Sequence, residues 1–279
     1  MNQMQKAISD ADIRTYREVG VVCLRGLFSP EWVRSMYAAT DRVMQSGQGR
    51  IREGVPKGGQ GRFYGNVYMW QWDDDFRAFA FESVAPQIAA RLMGQDRVRL
   101  CYDQLFVKEP NTPAPTFWHH DLPYWPFKGE DIVSIWVALT DVSLENSGLE
   151  YIAGSHKWNK WFQAVTPDQD PRFMDPRAER CPDDTDHANR RPEHRYLSWD
   201  IKAGDCICHH PLTVHGAGGN ASKTQRRAAL SIRYMGRDVR WDPHPTAMKV
   251  SGDPELAAGA YPADDRVFPV AWADDKVAA

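Results

Sequence analysis

Little in this chain suits a membrane, a nucleic acid or an oxidising compartment. No apolar run approaches the ~20 residues that a bilayer span needs, and Met1–Arg14 is polar, without the apolar core of a secretory signal. Lysine and arginine number 34 against 37 aspartates and glutamates, a net charge of −3, so there is no global positive field to attract nucleic acid. Cysteines are few: five, an odd number without framework spacing, as suits a reducing compartment. G-x-S-x-G is missing, which leaves a hydrolase nucleophile without support. The glycine-rich stretch 46–65 carries Arg50, Arg52, Lys57 and Arg62 but not the G-x-x-x-x-G-K-[ST] order of a phosphate loop. It reads instead as a loop over a pocket. The expectation is a soluble cytoplasmic globular protein, and nothing in the composition specifies an oligomeric state.

What is present is ample core. The 279 residues are 42% hydrophobic and include 11 tryptophans, enough for one large core. The first third reads as helical. Ser9 caps a helix to about Glu18, Val21–Leu24 is a short buried strand, and Ser29–Pro30 is a cap followed by proline at the first helical position. Val33, Met36, Tyr37, Thr40, Val43 and Met44 then recur at helical spacing and form one packing face. Two more helices are expected over Asp75–Glu82 and Ser83–Met93, the second stopped by Gly94. The remainder is mostly strand: Val98–Val107, Ile132–Leu139, Leu149–Ile152, Asp205–His209 and Ala228–Tyr234. Helices gathered first and strands afterwards predict a mainly β, α+β fold, an antiparallel core with the N-terminal helices on one sheet. No internal repeat or long linker divides the chain, so a single domain over 1–279 is expected. Its parts are a mainly helical 1–96, a β core over 97–240 and a C-terminal extension, 241–279. The irregular stretch between Trp158 and Ser198, dense in Pro, Asp and Arg, is too long for an ordinary connection and reads as an inserted lid.

The chemistry concentrates at Phe117–Trp118–His119–His120–Asp121. It follows the strand-like segment Arg97–Lys108 and a turn-forming run, Pro110–Pro115. In an extended strand, residues two apart share a side, so His119 and Asp121 aim an imidazole and a carboxylate at one space while His120 faces away. One His and one carboxylate, completed by a distant His, form the facial triad that holds non-haem Fe(II) with positions left open. The distant candidate is His215, delivered to a sheet edge by a strand ending at Leu212–Thr213–Val214, with glycines after it for a tight reversal. Beyond it, Arg227, Ala229, Ser231 and Arg233 fall on one face of a strand. An inward arginine with small neighbours is a fork for a dicarboxylate, worth about 1.5–3 kcal/mol as a charge-assisted pair. Arg226 competes for that role if the register slips by one.

These blocks together resemble the phytanoyl-CoA dioxygenase family of Fe(II)/2-oxoglutarate-dependent oxygenases. The features that carry the resemblance are Trp118–Trp125, Trp136–Leu139, Asn146–Glu150 with Gly154–His156, and His209–Leu212 to His215 with the Arg-Arg-Ala and Arg-Tyr beyond. Gly20–Phe28 is similar too, so the likeness runs over roughly residues 10 to 245. It implies a double-stranded β-helix (jelly roll, cupin-like), iron on residues matching His119, Asp121 and His215, and Arg227 on the distal carboxylate of 2-oxoglutarate. It further implies that Gln104 and Trp136 line the co-substrate, and that O2 is consumed as the keto acid becomes succinate and CO2. The expected outcome is hydroxylation of an unactivated C–H of a small organic molecule. Asp121 stands where related halogenases lack a carboxylate, which favours hydroxylation over halogenation; desaturation or ring formation stays open.

Other readings compete with this one. A cupin-like metal-dependent isomerase or ligand-binding protein would need no Arg227 and make no succinate, and a silent interaction protein would need no triad. Cys206, Cys208, His209, His210 and His215 hint at zinc, yet Cys-x-Cys in a strand is ordinarily small buried filler. Tyr124, Trp125, Trp158 and Trp161 are either a substrate wall or core aromatics. His156 and His187 read as capping or surface residues, and the arginines from Arg172 to Arg195 as a solvated face or, alternatively, as contacts for an anionic substrate such as an acyl-CoA or a carboxylate. Nothing in Asp275–Ala279 resembles a peroxisomal address.

Overall fold

The computed structural model describes residues 8–54, 61–165, 171, 174–175 and 178–274. Met1–Ala7, Lys57, Arg172 and the C-terminal Asp275–Ala279 lie outside the described residues.

Among the described residues, four α-helices stand almost where capping chemistry puts them. Helix α1, Asp10–Val19, starts from a Ser9 whose hydroxyl accepts from Asp12 N–H, while the Asp12 carboxylate accepts from the Ser9 backbone. Helix α2, Pro30–Ser46, starts from Ser29. Helix α3, Asp74–Glu82, is capped by Asp73, and α4, Ala85–Met93, ends at Gly94 with φ 70°, the left-handed region that glycine tolerates.

The β part is a jelly roll of two facing sheets. The major sheet runs in the order β1 (Val21–Leu24), β10 (Cys206–His209), β7 (Ile132–Ala138), β12 (Arg227–Met235), β4 (Arg97–Lys108), β3 (Phe63–Val67), β2 (Arg52–Gly54), with β14 (Val270–Ala273) also on β4. The minor sheet is β5 (Thr116–His119), β11 (His215–Ala217), β8 (Leu149–Ile152) and β9 (Tyr196–Ser198). A small ladder of β6 (Phe127–Lys128) and β13 (Arg240–Trp241) stands apart.

All nine residues of β12 are buried because both of its faces are covered. Ala228, Leu230, Ile232 and Tyr234 pack outward with Val133, Ile135, Val137, Cys206 and Cys208 against the helices, in one apolar cluster. Arg227, Ala229, Ser231 and Arg233 point the other way, into the roll. Period-two alternation thus sorts one strand into an apolar face for the core and a polar face for chemistry.

The stretch 46–65 departs from its expected loop. Arg52–Gly54 and Phe63–Val67 pair with each other, and Phe63–Val67 pairs with β4, so part of it extends the major sheet. Among the described residues no helix is long and apolar enough to cross a membrane.

One acid lies on the wrong side of this partition. Asp103 of β4 is fully buried beside the helices. Its Oδ2 accepts from Trp70 N–H at 3.0 Å while Oδ1 has no partner among the described residues, and burial pushes the carboxyl up to about 7. A folded-state pKa above the unfolded one favours folding at low pH, and that contribution is lost as pH rises through about 7. Asp103→Asn keeps the acceptor and removes the charge. Denaturant unfolding of the variant should therefore depend less on pH from about pH 4 to about pH 7, and exceed wild type in stability above that window.

Candidate metal centre

Two strands of the minor sheet bring the imidazoles together. His119 ends β5, His215 begins β11, and the two are direct antiparallel partners. Their rings stand 4.3 Å apart between centroids. Asp121 joins them from just beyond the strand: it has helical dihedrals (φ −73°, ψ −37°) and caps the short turn Leu122–Tyr124. The ligand atoms of His119, Asp121 and His215 all lie within 4.8 Å of one another, close enough to share one ion.

Two local expectations need correction here. Asp121 shares a side with His119 although the strand stops at His119, so the turn, not strand period, aims the carboxylate. His215 opens its strand rather than following one, and β11 lies inside the sheet between β5 and β8, not at an edge. The glycine after it serves contact more than reversal: a Cβ on Gly216 would sit 3.0 Å from the Trp118 ring.

Each imidazole is held in a defined state. His119 Nδ1 donates to Phe117 O at 2.7 Å and His215 Nδ1 donates to Thr213 O at 2.9 Å. A carbonyl only accepts, so each ring carries a proton on Nδ1 and Nε2 is the atom turned toward the shared point. Burial, then the neighbouring imidazoles of His119 and His209, pushes His215 well below the usual histidine range, so it is neutral.

The carboxylate is held ionised. Its Oδ2 accepts from Ser134 Oγ at 2.8 Å and from His209 Nε2 at 3.3 Å, and lies 3.7 Å from Arg233 Nη2. Tyr151 Oη stands 3.2 Å from the other ring nitrogen of His209. Burial alone would raise Asp121, but the Arg233 charge and the His119 and His209 contacts outweigh it and hold the group well below the carboxylate range. Oδ1, at 3.6 Å from His119 Nε2 and 4.0 Å from His215 Nε2, is left facing the imidazoles. Arg233 itself is fixed against the rings of Tyr102 and Trp125, at 4.5 and 5.6 Å.

The two arginines separate cleanly. Arg226 turns outward and is consumed by Glu109 and Asp41. Arg227 is 2% exposed and among the described residues meets only neutral acceptors, Phe106 O at 3.3 Å and Ser147 Oγ at 3.4 Å. Its Nε has no partner among them, and burial pushes the guanidinium down to about 9. A buried guanidinium without an anion is costly, and a ligand carboxylate would relieve it. Gln104 and Trp136 are the two cross-strand partners of Ser231, whose Oγ is also unpartnered, and the Trp136 ring lies 5.7 Å from Arg227.

The remaining candidates scatter. His120 faces away as expected, and its Nε2 accepts from Phe162 N–H at 3.0 Å, tying the segment after Trp158 to the strand end. The Cys206 and Cys208 thiols face the helices while His209 faces inward, so no zinc-type cluster forms among the described residues. Tyr124 stands edge-on to His119 at 5.6 Å, Trp125 is core, Trp158 packs on Phe162, and Trp161 is 43% exposed. His156 caps Arg17 O, and Arg190 pairs with Glu150. Sequence reasoning placed Arg233 on the right face without a role and missed Ser134 and His209. Their inward parity on β7 and β10 was the available signal.

Comparison with known proteins gives this geometry a family. The model for phytanoyl-CoA dioxygenase (PhyH) matches residues 16–228. The chain belongs to the phytanoyl-CoA dioxygenase family. The multifunctional dioxygenase prhA of Penicillium brasilianum is 24% identical over 250 residues, 84% of this chain and 74% of prhA. Among solved structures, the non-heme alpha ketoglutarate dependent carbocyclase SnoK from nogalamycin biosynthesis superposes with a TM-score of 0.73 at 25% identity, covering 95% of this chain and 97% of SnoK. The epimerase SnoN, solved with Fe3+, alpha ketoglutarate and nogalamycin RO, gives 0.70 at 25% identity, covering 94% of this chain and 98% of SnoN. As a phytanoyl-CoA dioxygenase family member the chain is a 2-oxoglutarate-dependent non-haem iron dioxygenase, with iron and 2-oxoglutarate as its cofactor and co-substrate. Two neutral imidazoles and one carboxylate are the donor set such an iron takes.

Metal binding tests the geometry directly. Titration with Co(II), followed by its visible spectrum, should give one site in wild type and none in His119→Ala or His215→Ala. Ser134→Ala, which strips one hydrogen bond from Asp121, should weaken the metal by roughly tenfold.

Proposed function

We propose that this protein oxidises an unactivated C–H bond of a small organic molecule, with Fe(II) on His119, Asp121 and His215 and the distal carboxylate of 2-oxoglutarate on Arg227. One observation carries the reading. Strand β12 offers Arg227, a buried cation that meets no anion among the described residues, on the same inward face from which Arg233 steadies the Asp121 carboxylate. An isomerase or binding protein of the cupin type has no use for the first of these.

Bound iron and 2-oxoglutarate together supply the oxidant, the keto acid being cleaved to succinate and CO2 as dioxygen is reduced. The chain's own residues prepare for that. Phe117 O and Thr213 O occupy Nδ1 of the two imidazoles and orient Nε2 of each toward the ion. Arg233, Ser134 and His209 occupy one oxygen of Asp121 and leave the other for the ion. Gln104, Trp136 and Ser231 lie between the two poles of β12 and would line the co-substrate.

The fate of the substrate radical has a second reading. Two similar structures are named as a carbocyclase and an epimerase, so ring closure or inversion after the same hydrogen removal competes with hydroxylation.

Aerobic incubation with Fe(II), ascorbate and 2-oxoglutarate across a panel of small molecules should yield iron-dependent succinate. Product mass then separates the outcomes: one oxygen gained for hydroxylation, two hydrogens lost for cyclisation or desaturation, no change for epimerisation. Succinate absent throughout, with no 2-oxoglutarate binding, would leave the non-redox reading. Arg227→Gln should raise the KM for 2-oxoglutarate by about ten- to a hundredfold, whereas Arg226→Gln should leave it near wild type.

A further inference from the structure

Two rows of side chains face each other across the roll at the level of the metal centre. In the minor sheet His119 pairs with His215 and His215 pairs with Tyr151, so three rings stand side by side over β5, β11 and β8. The Tyr151 ring lies 5.5 Å from that of His215, tilted by only 25°. In the major sheet Arg233 pairs with Ser134 and Ser134 with His209, over β12, β7 and β10. All three members of this second row approach Oδ2 of Asp121. Where His209 and His215 meet, 4.6 Å apart between ring centroids, the rows are tied by the hydrogen bond between Tyr151 Oη and His209 Nδ1, at 3.2 Å.

That bond has a direction. Tyr151 is 0% exposed, and its hydroxyl has no other partner among the described residues. Unless it donates to Nδ1, a phenolic proton is left unpaired in the core. His209 Nδ1 therefore accepts, and the ring carries its proton on Nε2, which faces the Asp121 carboxylate at 3.3 Å. The opposite tautomer would strand the phenol and set a lone pair against a carboxylate oxygen. Tyr151 thus serves two of the three ligands: it stacks on His215 and, through His209, orders a hydrogen bond to Asp121.

We infer that Tyr151 is a positioning residue for the metal centre: its O–H fixes the tautomer and ring angle of His209, which keeps Oδ2 of Asp121 occupied and leaves Oδ1 for the ion. The inference rests on the ligand assignment above, and the test separates the two. Nitrogen NMR of the metal-free protein should find His209 protonated on Nε2, and Tyr151→Phe, which keeps the ring and removes the hydroxyl, should give a mixture of tautomers. The same variant should bind Co(II) about tenfold more weakly, with a shifted visible spectrum. Because the hydroxyl acts through His209, adding Tyr151→Phe to His209→Phe should cost no further affinity. Should His209→Phe not fold, the tautomer measurement decides alone. An unchanged tautomer or unchanged Co(II) affinity in Tyr151→Phe, with binding still lost in His119→Ala, would overturn the role of Tyr151 alone. Wild-type Co(II) binding in His119→Ala would overturn the ligand assignment with it. An equal loss from Tyr151→Phe with and without His209→Phe would mark Tyr151 as packing for His215 and overturn the inference.

Discussion

The site depends on keeping one carboxylate ionised in a buried place. Asp121 is buried, and desolvation by itself would push its carboxyl up. Arg233, Ser134 and His209 prevent that, and they come from β12, β7 and β10 of the major sheet. Asp121 belongs to the turn leaving the minor sheet. The contacts that set its charge are therefore the contacts that hold the two sheets in register across the roll, so fold and electrostatics are one constraint.

Strand β12 shows how the chain distributes that constraint. Its outward residues are apolar and vanish into the helical core. Its inward residues carry a guanidinium toward each end, and the two are treated differently. Arg233 is clamped between aromatic rings and faces an internal carboxylate. Arg227 stands opposite Lys108, another cation, with only neutral oxygens nearby among the described residues. Internal charge is balanced at the metal end and left unbalanced at the other. That asymmetry is what a site needs if an anionic co-substrate is to complete it, since unpaired buried charge becomes binding energy only when the counterion arrives.

Much of the fold was legible because local chemistry decides it. Ser9, Ser29 and Gly94 mark helix ends through orphan backbone groups that any helix must satisfy. The long strands β4, β7 and β12 announce themselves by alternation. Less legible were β2 and β3: their glycines and arginines read as a loop, yet the free edge of β4 recruits them. A sheet edge is a tertiary object and leaves no trace in composition. The same holds for His215, whose place inside the minor sheet follows from β5 and β8 flanking it.

The amino-acid order alone determined the kinds of donor available and their parity: a His-x-Asp step, a later histidine, and arginines spaced so that one face of a strand collects them. Those are short-range facts, set by dihedral periodicity and side-chain chemistry. Only the tertiary structure set Arg226 and Arg227 apart, because among the described residues one face finds acids and the other does not. It also decided which histidine steadies Asp121. Such pairings are made across strands distant in sequence, by register and burial, and no local pattern encodes them.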